Sequence, residues 1–167
     1  MADVTTNIHV LRPSRKAVKA GDVFAVGLPE ASYIFGRVVS TEAQWTLAIG
    51  ADPAILIYLF RDRSATKVMP DEAVLRPDRL LVSPIMTNRM AWTRGYFETL
   101  GNIPLGANDV LPRHCFLSGS RGRYYDDLGN ELAGPIEPVG DYALHSFRTI
   151  DDQISDALGI PRVPEDT

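Results

Sequence analysis

The chain has 167 residues, of which 45% are hydrophobic and 23% charged, so we expect one globular domain with a core of its own. A single cysteine, Cys115, excludes an internal disulfide, and the longest apolar run, at 54–60, is too short to cross a bilayer. The first residues lack the apolar segment of a secretory signal, and we therefore predict a cytoplasmic protein.

Charge is distributed unevenly along the chain, although the net charge is only −4. Residues 126–167 hold ten acidic residues against two arginines, Arg148 and Arg162, whereas the rest of the chain has a small excess of positive charge. An acidic surface of this kind favours a basic partner. The alternative is that these acids only solubilise a C-terminal helix and tail.

The first elements read as an arm followed by a β-hairpin. Residues 1–20 are polar and basic, and we predict an N-terminal arm there, either loose or with one extra strand at 8–11. Apolar residues occupy both faces of the two runs 23–28 and 33–39. The turn residues 29–32 join these runs, which together predict a hairpin with a short loop.

The middle of the chain is predicted to continue as strands. A third strand is expected at 44–49, and the continuous apolar run at 54–60 predicts a central strand covered on both faces. Two more strands are predicted at 80–86 and 90–98. In the second of these, Trp92, Arg94 and Tyr96 are spaced by two, so a strand would place all three on one face.

The C-terminal third predicts a hairpin, a last strand and one helix. The hairpin covers 123–132, where Gly129 supplies the positive φ that a tight loop needs. A last strand is predicted at 142–147. The helix is predicted at 150–158, because apolar residues there recur at helical spacing, with Thr149 as its N-cap and Gly159 ending it.

These elements predict an α+β fold that is mainly β. Many short strands with closely spaced turns favour a strongly bent antiparallel sheet or a partly open barrel, with one short C-terminal helix. We predict a single mainly β domain over residues 21–161, preceded by the arm and followed by a frayed tail at 162–167.

A search for catalytic, phosphate-binding and metal-binding patterns finds none. The glycine-rich run 119–122 has no strand–helix context and reads as a hairpin loop. The histidines are far apart and unpatterned: His9, His114 and His145. Four neighbouring residues with side-chain oxygens lack the spacing of a calcium-binding loop, and we interpret them as part of a hairpin turn: Asp126, Asp127, Asn130 and Glu131. We expect no catalytic residue, cofactor or metal.

Cys115 is the one residue whose type suits nucleophilic catalysis, and His114 precedes it directly. Neighbours in a strand point to opposite faces, so the two side chains would be badly placed to act together. Cys115 is followed by Phe116 and Leu117, and we interpret it as a core residue.

Nucleic-acid binding is the alternative that the basic residues suggest. Tyr58 and Phe60 lie close in sequence to a set of cations: Arg61, Arg63, Lys67, Arg76 and Arg79. Small β-barrels bind single strands with aromatic and basic residues of this kind. The sequence pI of about 5.3 and the absence of an RNA-recognition motif argue against it.

Several segments resemble the immunity protein 26 family of bacterial polymorphic toxin systems. The runs 21–29 and 33–39 resemble the family's opening hairpin, and 55–58 resembles its next buried strand. Further on, 95–97 and 100–105 resemble its "G-x-W … I-G-x-x-P-L" segment. The resemblance covers about residues 21–148. Departures from the family pattern occur at Gly27, where proline is frequent, and at Phe97, where tryptophan is frequent.

The resemblance implies a small mainly β protein that binds and blocks a toxin encoded beside it, with no enzymatic activity and no cofactor. A basic toxin, such as a nuclease domain, would suit the acidic region. Aromatic, arginine and acidic residues are the candidates for the interface: Trp92, Arg94, Tyr96, Tyr124, Tyr125, Asp126, Asp127 and Glu131. Two other classes stay open, a regulatory nucleic-acid-binding β-barrel and an enzyme assembled from scattered acids and histidines.

Overall fold

The computed structural model describes residues 5–164, which hold nine strands in two sheets. The strands are β1 (Asp22–Leu28), β2 (Ser32–Ala43), β3 (Ala54–Leu59), β4 (Ile85–Thr87), β5 (Phe97–Asn102), β6 (Cys115–Ser118), β7 (Arg123–Tyr125), β8 (Glu131–Leu132) and β9 (Val139–Asp141). The helices are α1 (Met90–Thr93) and α2 (Phe147–Leu158), with single 3-10 turns at Glu72–Val74 and Pro77–Arg79. The large sheet has the order β4-β3-β2-β1-β5, and the small sheet has the order β8-β7-β6-β9.

The predicted mainly β fold with a short C-terminal helix is confirmed. The strands form two sheets rather than one, and neither closes into a barrel within residues 5–164. All pairings are antiparallel except that of β6 with β9, which is parallel and joins residues far apart in the chain. No helix in the described part of the chain has the length and apolar character needed to span a membrane.

The predicted opening hairpin is confirmed as β1 and β2, which pair from Val23 with Arg37 to Leu28 with Ser32. Its turn contains Glu30 and Ala31 with φ of 67° and 54°, the left-handed conformation whose twist suits a tight hairpin. The predicted central strand is also confirmed, because β3 lies between β2 and β4 and every one of its residues is buried.

Both faces of the large sheet are covered, as the apolar runs predicted. In β1, Phe24, Val26 and Leu28 pack in one apolar cluster with α1 and α2, while Val23 and Ala25 pack in a second cluster with Phe116 of the small sheet. The odd-numbered residues of β3 belong to the first cluster and its even-numbered residues to the second. Because side chains alternate between the two faces of each strand, the large sheet has one apolar cluster on each face. The protein therefore has three layers: the helices, the large sheet and the small sheet.

Two predicted strands are wrong in the middle of the chain, and the strand predicted at 80–86 forms only from Ile85, where β4 begins. Residues 44–49 form turns and a loop, which the indole Nε1 of Trp45 closes by donating to the carbonyl of Asp52 at 2.9 Å. The predicted strand 90–98 begins instead as helix α1, where the side chain of Asn88 accepts from the Met90 N–H at 3.0 Å. A short apolar run does not distinguish helix from strand, and the helix places the Trp92 ring against Phe24 and Phe97 in the core.

The C-terminal prediction needs two corrections. The predicted strand 142–147 is wrong, because β9 ends at Asp141 and Phe147 already belongs to α2. The N-cap is Ser146 rather than Thr149, and its hydroxyl accepts from the Thr149 N–H at 3.3 Å. The predicted end of the helix at Gly159 is confirmed, with φ of 70°.

The described part of the predicted N-terminal arm contacts the body of the protein at several points. Ile8 is buried in the apolar cluster that packs with α1 and α2, which we call the helix-side cluster. His9 pairs with Gly27 of β1. The carboxylate of Asp151 in α2 accepts from the N–H groups of Asn7 and Ile8 at 2.9 to 3.1 Å. Residues 1–4 and 165–167 lie outside the described part, and the division into arm, domain and tail stays a prediction.

Candidate partner-binding surface

The predicted hairpin 123–132 is confirmed as β7 and β8, and it lies against the loop 44–53. The Gln44 N–H donates to the carbonyl of Asp127 at 2.8 Å, and a β-carbon at Gly129 would lie 3.5 Å from Cβ of Gln44. Two segments about 80 residues apart in sequence therefore form one continuous surface. We call residues 44–53 and 123–132 the loop-and-hairpin surface.

Large apolar side chains protrude from this surface. Within residues 5–164 eight large apolar side chains are exposed, and three of them lie here: Leu47, Ile49 and Leu128. Ile49 is fully exposed, and Leu128 is 65% exposed at the tip of the hairpin. Single exposed apolar residues are normal, but several on adjoining segments are typical of a protein–protein contact.

The same two segments are rich in carboxylates. The loop-and-hairpin surface contains four acidic residues, Asp52, Asp126, Asp127 and Glu131, against the single cation Arg123. Glu131 and Arg123 form an exposed ion pair with N and O 3.0 Å apart. The remaining acids leave the surface negative, as the charge distribution along the sequence indicated.

Asp126 stabilises the turn of the hairpin, which agrees with the prediction that the acidic residues here form a turn. Its carboxylate accepts from the N–H groups of Leu128 and Asn130, both at 2.9 Å. These bonds hold the backbone of the tip in an Asx-type turn. Leu128 is consequently presented on an ordered turn, which lowers the conformational entropy lost when a partner binds.

Asp127 ties the same turn to the core through a line of three hydrogen bonds. The Leu111 N–H donates to the hydroxyl of Tyr58 at 3.0 Å, and that hydroxyl lies 2.6 Å from Nε2 of His114. Nδ1 of His114 lies 3.3 Å from a carboxylate oxygen of Asp127. Each group has a partner if Tyr58 donates to Nε2 and Nδ1–H donates to Asp127, which assigns a neutral histidine with its proton on Nδ1.

The pKa directions in this network agree with that assignment. Burial raises the pKa of Tyr58 to about 12, so its hydroxyl keeps its proton at neutral pH. The hydrogen bond from His114 lowers the pKa of Asp127, which therefore stays ionised. A tyrosine, a histidine and an aspartate in line resemble an acid–base relay, but Tyr58 has no solvent exposure. The network therefore positions the hairpin, and no substrate can reach its tyrosine.

The structure buries three of the predicted interface residues. Trp92, Tyr96 and Tyr125 are 2%, 5% and 3% exposed, and the first two lie in the helix-side cluster. Tyr125 stacks on Tyr142 at 4.6 Å between ring centroids. Their large rings pack in the core and offer a partner almost no apolar contact area.

The predicted common face of residues 92, 94 and 96 does not form, since α1 replaces the strand. Trp92 and Tyr96 turn inward, whereas Arg94 is exposed with its guanidinium 5.3 Å from the centroid of the Phe147 ring. Tyr124, Asp126 and Asp127 are half-buried and Glu131 is exposed on the hairpin. The structure thus brings the hairpin members of the predicted interface together and leaves the 92–96 group beside the helices.

Sequence reasoning missed Leu47 and Ile49, the apolar residues of the adjoining loop. Both fall in the segment that was predicted as a strand, where their side chains would have packed in a core. The turn residues Gly50 to Pro53 that follow are the only local signal of an exposed loop. Nothing in the sequence places this loop next to the hairpin.

The residues that suggested nucleic-acid binding do not form a stacking platform. Tyr58 and Phe60 are fully buried in the core facing the small sheet. Arg79 forms a two-bond ion pair with Asp62 at 2.6 and 2.7 Å. The aromatic rings needed to stack on bases are therefore inaccessible.

Fold and surface together define a small mainly β protein with two stacked sheets, an apolar and acidic contact surface, and a buried polar network that holds this surface in place. The sequence profile of Immunity protein 26 matches residues 19–125, and the chain belongs to the immunity protein 26 family. The resemblance found in the sequence is thereby confirmed. No curated protein and no solved structure matches the chain.

Proposed function

We propose that this protein neutralises a cognate toxin by binding it through the loop-and-hairpin surface and occluding the toxin's active or target-binding face. Membership of the immunity protein 26 family supports a toxin as the partner. The observation that carries the choice of surface is the presence of three exposed apolar side chains, Leu47, Ile49 and Leu128, on two adjoining segments. Inhibition by occlusion needs shape and charge complementarity and no catalytic group.

The partner's complementary surface is basic with an apolar centre. Carboxylates on the same two segments attract a positive surface at long range, and the buried apolar contact then supplies most of the affinity. A nuclease domain, which must bind phosphates, has such a surface. The protein acts in the cytoplasm of the producing cell, where it meets the toxin before export.

The test begins with the partner's identity. We would isolate the tagged protein from its native cells at moderate salt, with nuclease added, and identify bound proteins by mass spectrometry. We expect one stoichiometric partner whose expression alone arrests growth and whose co-expression with this protein restores it. A partner that is not toxic, or binding that disappears with nuclease treatment, contradicts the proposal.

Single substitutions then test the surface. We expect Leu128→Asp and Ile49→Asp to abolish rescue of growth, because each places a charge in the apolar centre of the contact. Val68→Asp is the matched control, since Val68 is 65% exposed, the same fraction as Leu128, but lies outside the loop-and-hairpin surface. Equal rescue by Leu128→Asp and Val68→Asp would place the interface elsewhere on the molecule.

A further inference from the structure

A groove of about 760 Å³ lies between the N-terminal segment, residues 12–20, and strand β5. No residue of the loop-and-hairpin surface lines it, so it is a separate feature. Five consecutive residues of β5, 98–102, form one wall. Because side chains alternate between the two faces of a strand, a wall of consecutive residues exposes the edge of the strand rather than one face.

This edge of β5 has no strand partner in the described part of the chain. Strand β5 is outermost in the large sheet and pairs with β1 alone. An unpaired strand edge presents backbone N–H and C=O groups to which another extended segment can bind. At about 3.4 Å per residue, five residues offer roughly 17 Å of edge.

The opposite wall of the groove is positively charged. Arg12, Lys16 and Lys19 line it, and none of the three forms an ion pair within residues 5–164. Cations that do not pair within the protein remain free to pair with a ligand. Their clustering also runs against the acidic character of the chain as a whole.

The two acidic residues in the groove already have partners. Asp22 accepts from the Lys19 N–H and from the side-chain amide of Asn102, both at 2.9 Å. Glu98 pairs with Lys67 at 2.7 Å. Lys67 neutralises the charge of Glu98, so the three cations of the opposite wall face one remaining carboxylate, that of Asp22, and the groove keeps a net attraction for anionic groups.

Trp92 adds an unused donor to the same site. It lines the groove, is 2% exposed, and its indole Nε1 has no hydrogen-bond partner within residues 5–164. A buried donor without a partner carries a free-energy cost that an incoming acceptor removes.

We propose that the groove binds an extended, carboxylate-bearing segment of a partner protein, which adds to β5 as a sixth strand of the large sheet. The backbone of the segment pairs with residues 98–102, and its carboxylates face Arg12, Lys16 and Lys19. This proposal does not depend on the proposed function, because it concerns a different surface and a ligand of opposite charge.

Two other occupants fit the observations less well. A nucleic acid would supply anionic groups, but its backbone has no peptide N–H and C=O groups to pair with a strand edge. A second copy of this chain could pair edge to edge through β5, but it would bring another set of cations against Arg12, Lys16 and Lys19. An acidic extended segment satisfies the strand edge and the cations together.

The first test uses the full-length, isotope-labelled protein and an acetylated decapeptide of alternating Glu and Val. In NMR titrations we expect the amide resonances of residues 98–102 and the indole resonance of Trp92 to shift at millimolar peptide. Replacing Glu by Lys removes the charge match, and replacing Val by Pro removes backbone donors, so both peptides should bind more weakly. Equal binding by either control peptide overturns the proposal.

The second test changes the groove. We expect the double variant Lys16→Glu, Lys19→Glu to bind the acidic peptide about tenfold more weakly. The control Arg61→Glu, Arg63→Glu makes the same charge change at exposed positions outside the groove and should keep the affinity. Unchanged affinity in the groove variant overturns the proposal. So does a protein dimer that buries β5, or a DNA oligonucleotide that shifts residues 98–102 when the peptide does not.

Discussion

The large sheet and the loop-and-hairpin surface use apolar residues in opposite ways. Every residue of β3 is buried between two layers of side chains, whereas the adjoining loop and hairpin leave Leu47, Ile49 and Leu128 exposed. The strands differ as well, since β2 has 12 residues while β7 and β8 have 3 and 2. The large sheet therefore supplies most of the buried apolar area, and the hairpin depends on tethers to it.

This difference separates the region that stabilises the protein from the region offered to a partner. The hairpin is held by the pairing of β7 with β6 and by the buried ring of Tyr125, while polar tethers fix its tip: the Tyr58–His114–Asp127 line and the bond from Gln44 to Asp127. A surface held this way can vary in sequence without unfolding the protein, provided that the tethers remain. Substitutions in the two regions should accordingly affect different properties, in the following order of size.

The largest loss of stability is expected in the large sheet. Phe24 is fully buried and stacks on Phe97 with ring centroids 4.4 Å apart. We expect Phe24→Ala to lower the free energy of unfolding by about 3–5 kcal/mol, measured by urea denaturation. Leu128→Ala, the control on the exposed hairpin, should change it by less than about 0.5 kcal/mol. Similar losses for the two variants would contradict the division of roles.

An intermediate loss is expected where the two regions are tethered. Tyr58→Phe leaves the Leu111 N–H and Nε2 of His114 without their partner, which should cost about 1–3 kcal/mol. We also expect faster hydrogen exchange at the Leu128 and Asn130 amides, because the turn loses its anchor.

The control for this variant is Tyr33→Phe. The side chain of Tyr33 is half-buried, and its hydroxyl forms no hydrogen bond within residues 5–164. Removal of this hydroxyl should therefore change neither the free energy of unfolding nor the hydrogen exchange of the hairpin. Normal exchange in Tyr58→Phe would mean that the other contacts of the hairpin hold its tip without the Tyr58–His114–Asp127 line.

The smallest effect is a pH dependence of the tether. The folded pKa of Asp127 is lowered by its hydrogen bond from His114, so the folded state binds fewer protons there than the unfolded state. The resulting stabilisation is present above the unfolded pKa of about 3.9 and is lost as pH falls through the lower, folded value. We expect Asp127→Asn to flatten the acid side of the stability profile, measured by thermal unfolding between neutral and acidic pH.

Asp156 provides the comparison for this measurement. Its pKa is also lowered, by the hydrogen bond from Arg162, but the pair is exposed. High salt should screen the contribution of Asp156 more strongly than that of the half-buried Asp127. An identical response of Asp127→Asn and Asp156→Asn to salt would argue against a protected tether.

Several elements of the fold were predictable because their signals are local. The turn at 29–32 between two apolar runs predicted the first hairpin, and the apolar run at 54–60 predicted β3. Gly129 marked the second hairpin, and Gly159 marked the end of α2. In each of these cases the period of the side chains and the turn chemistry point to the same structure.

The candidate surface was predictable only in part. The acids and the turn of the hairpin were visible in the sequence, but Trp92 and Tyr96 were placed at the interface because a strand was expected where α1 forms. The run that contains them is short enough to suit either structure, so the periodicity could not decide between a helix and a strand. Packing of the Trp92 ring against Phe24 and Phe97 decided it.

By itself, the sequence determined the mainly β class, the first hairpin, the buried central strand, the C-terminal helix and the family. Tertiary structure alone decided which exposed residues share a surface. The loop 44–53 meets the hairpin through Gln44 and Asp127, and β6 pairs in parallel with β9. Such contacts depend on how segments that are distant in sequence pack over a common core, and a local pattern of residues does not predict them.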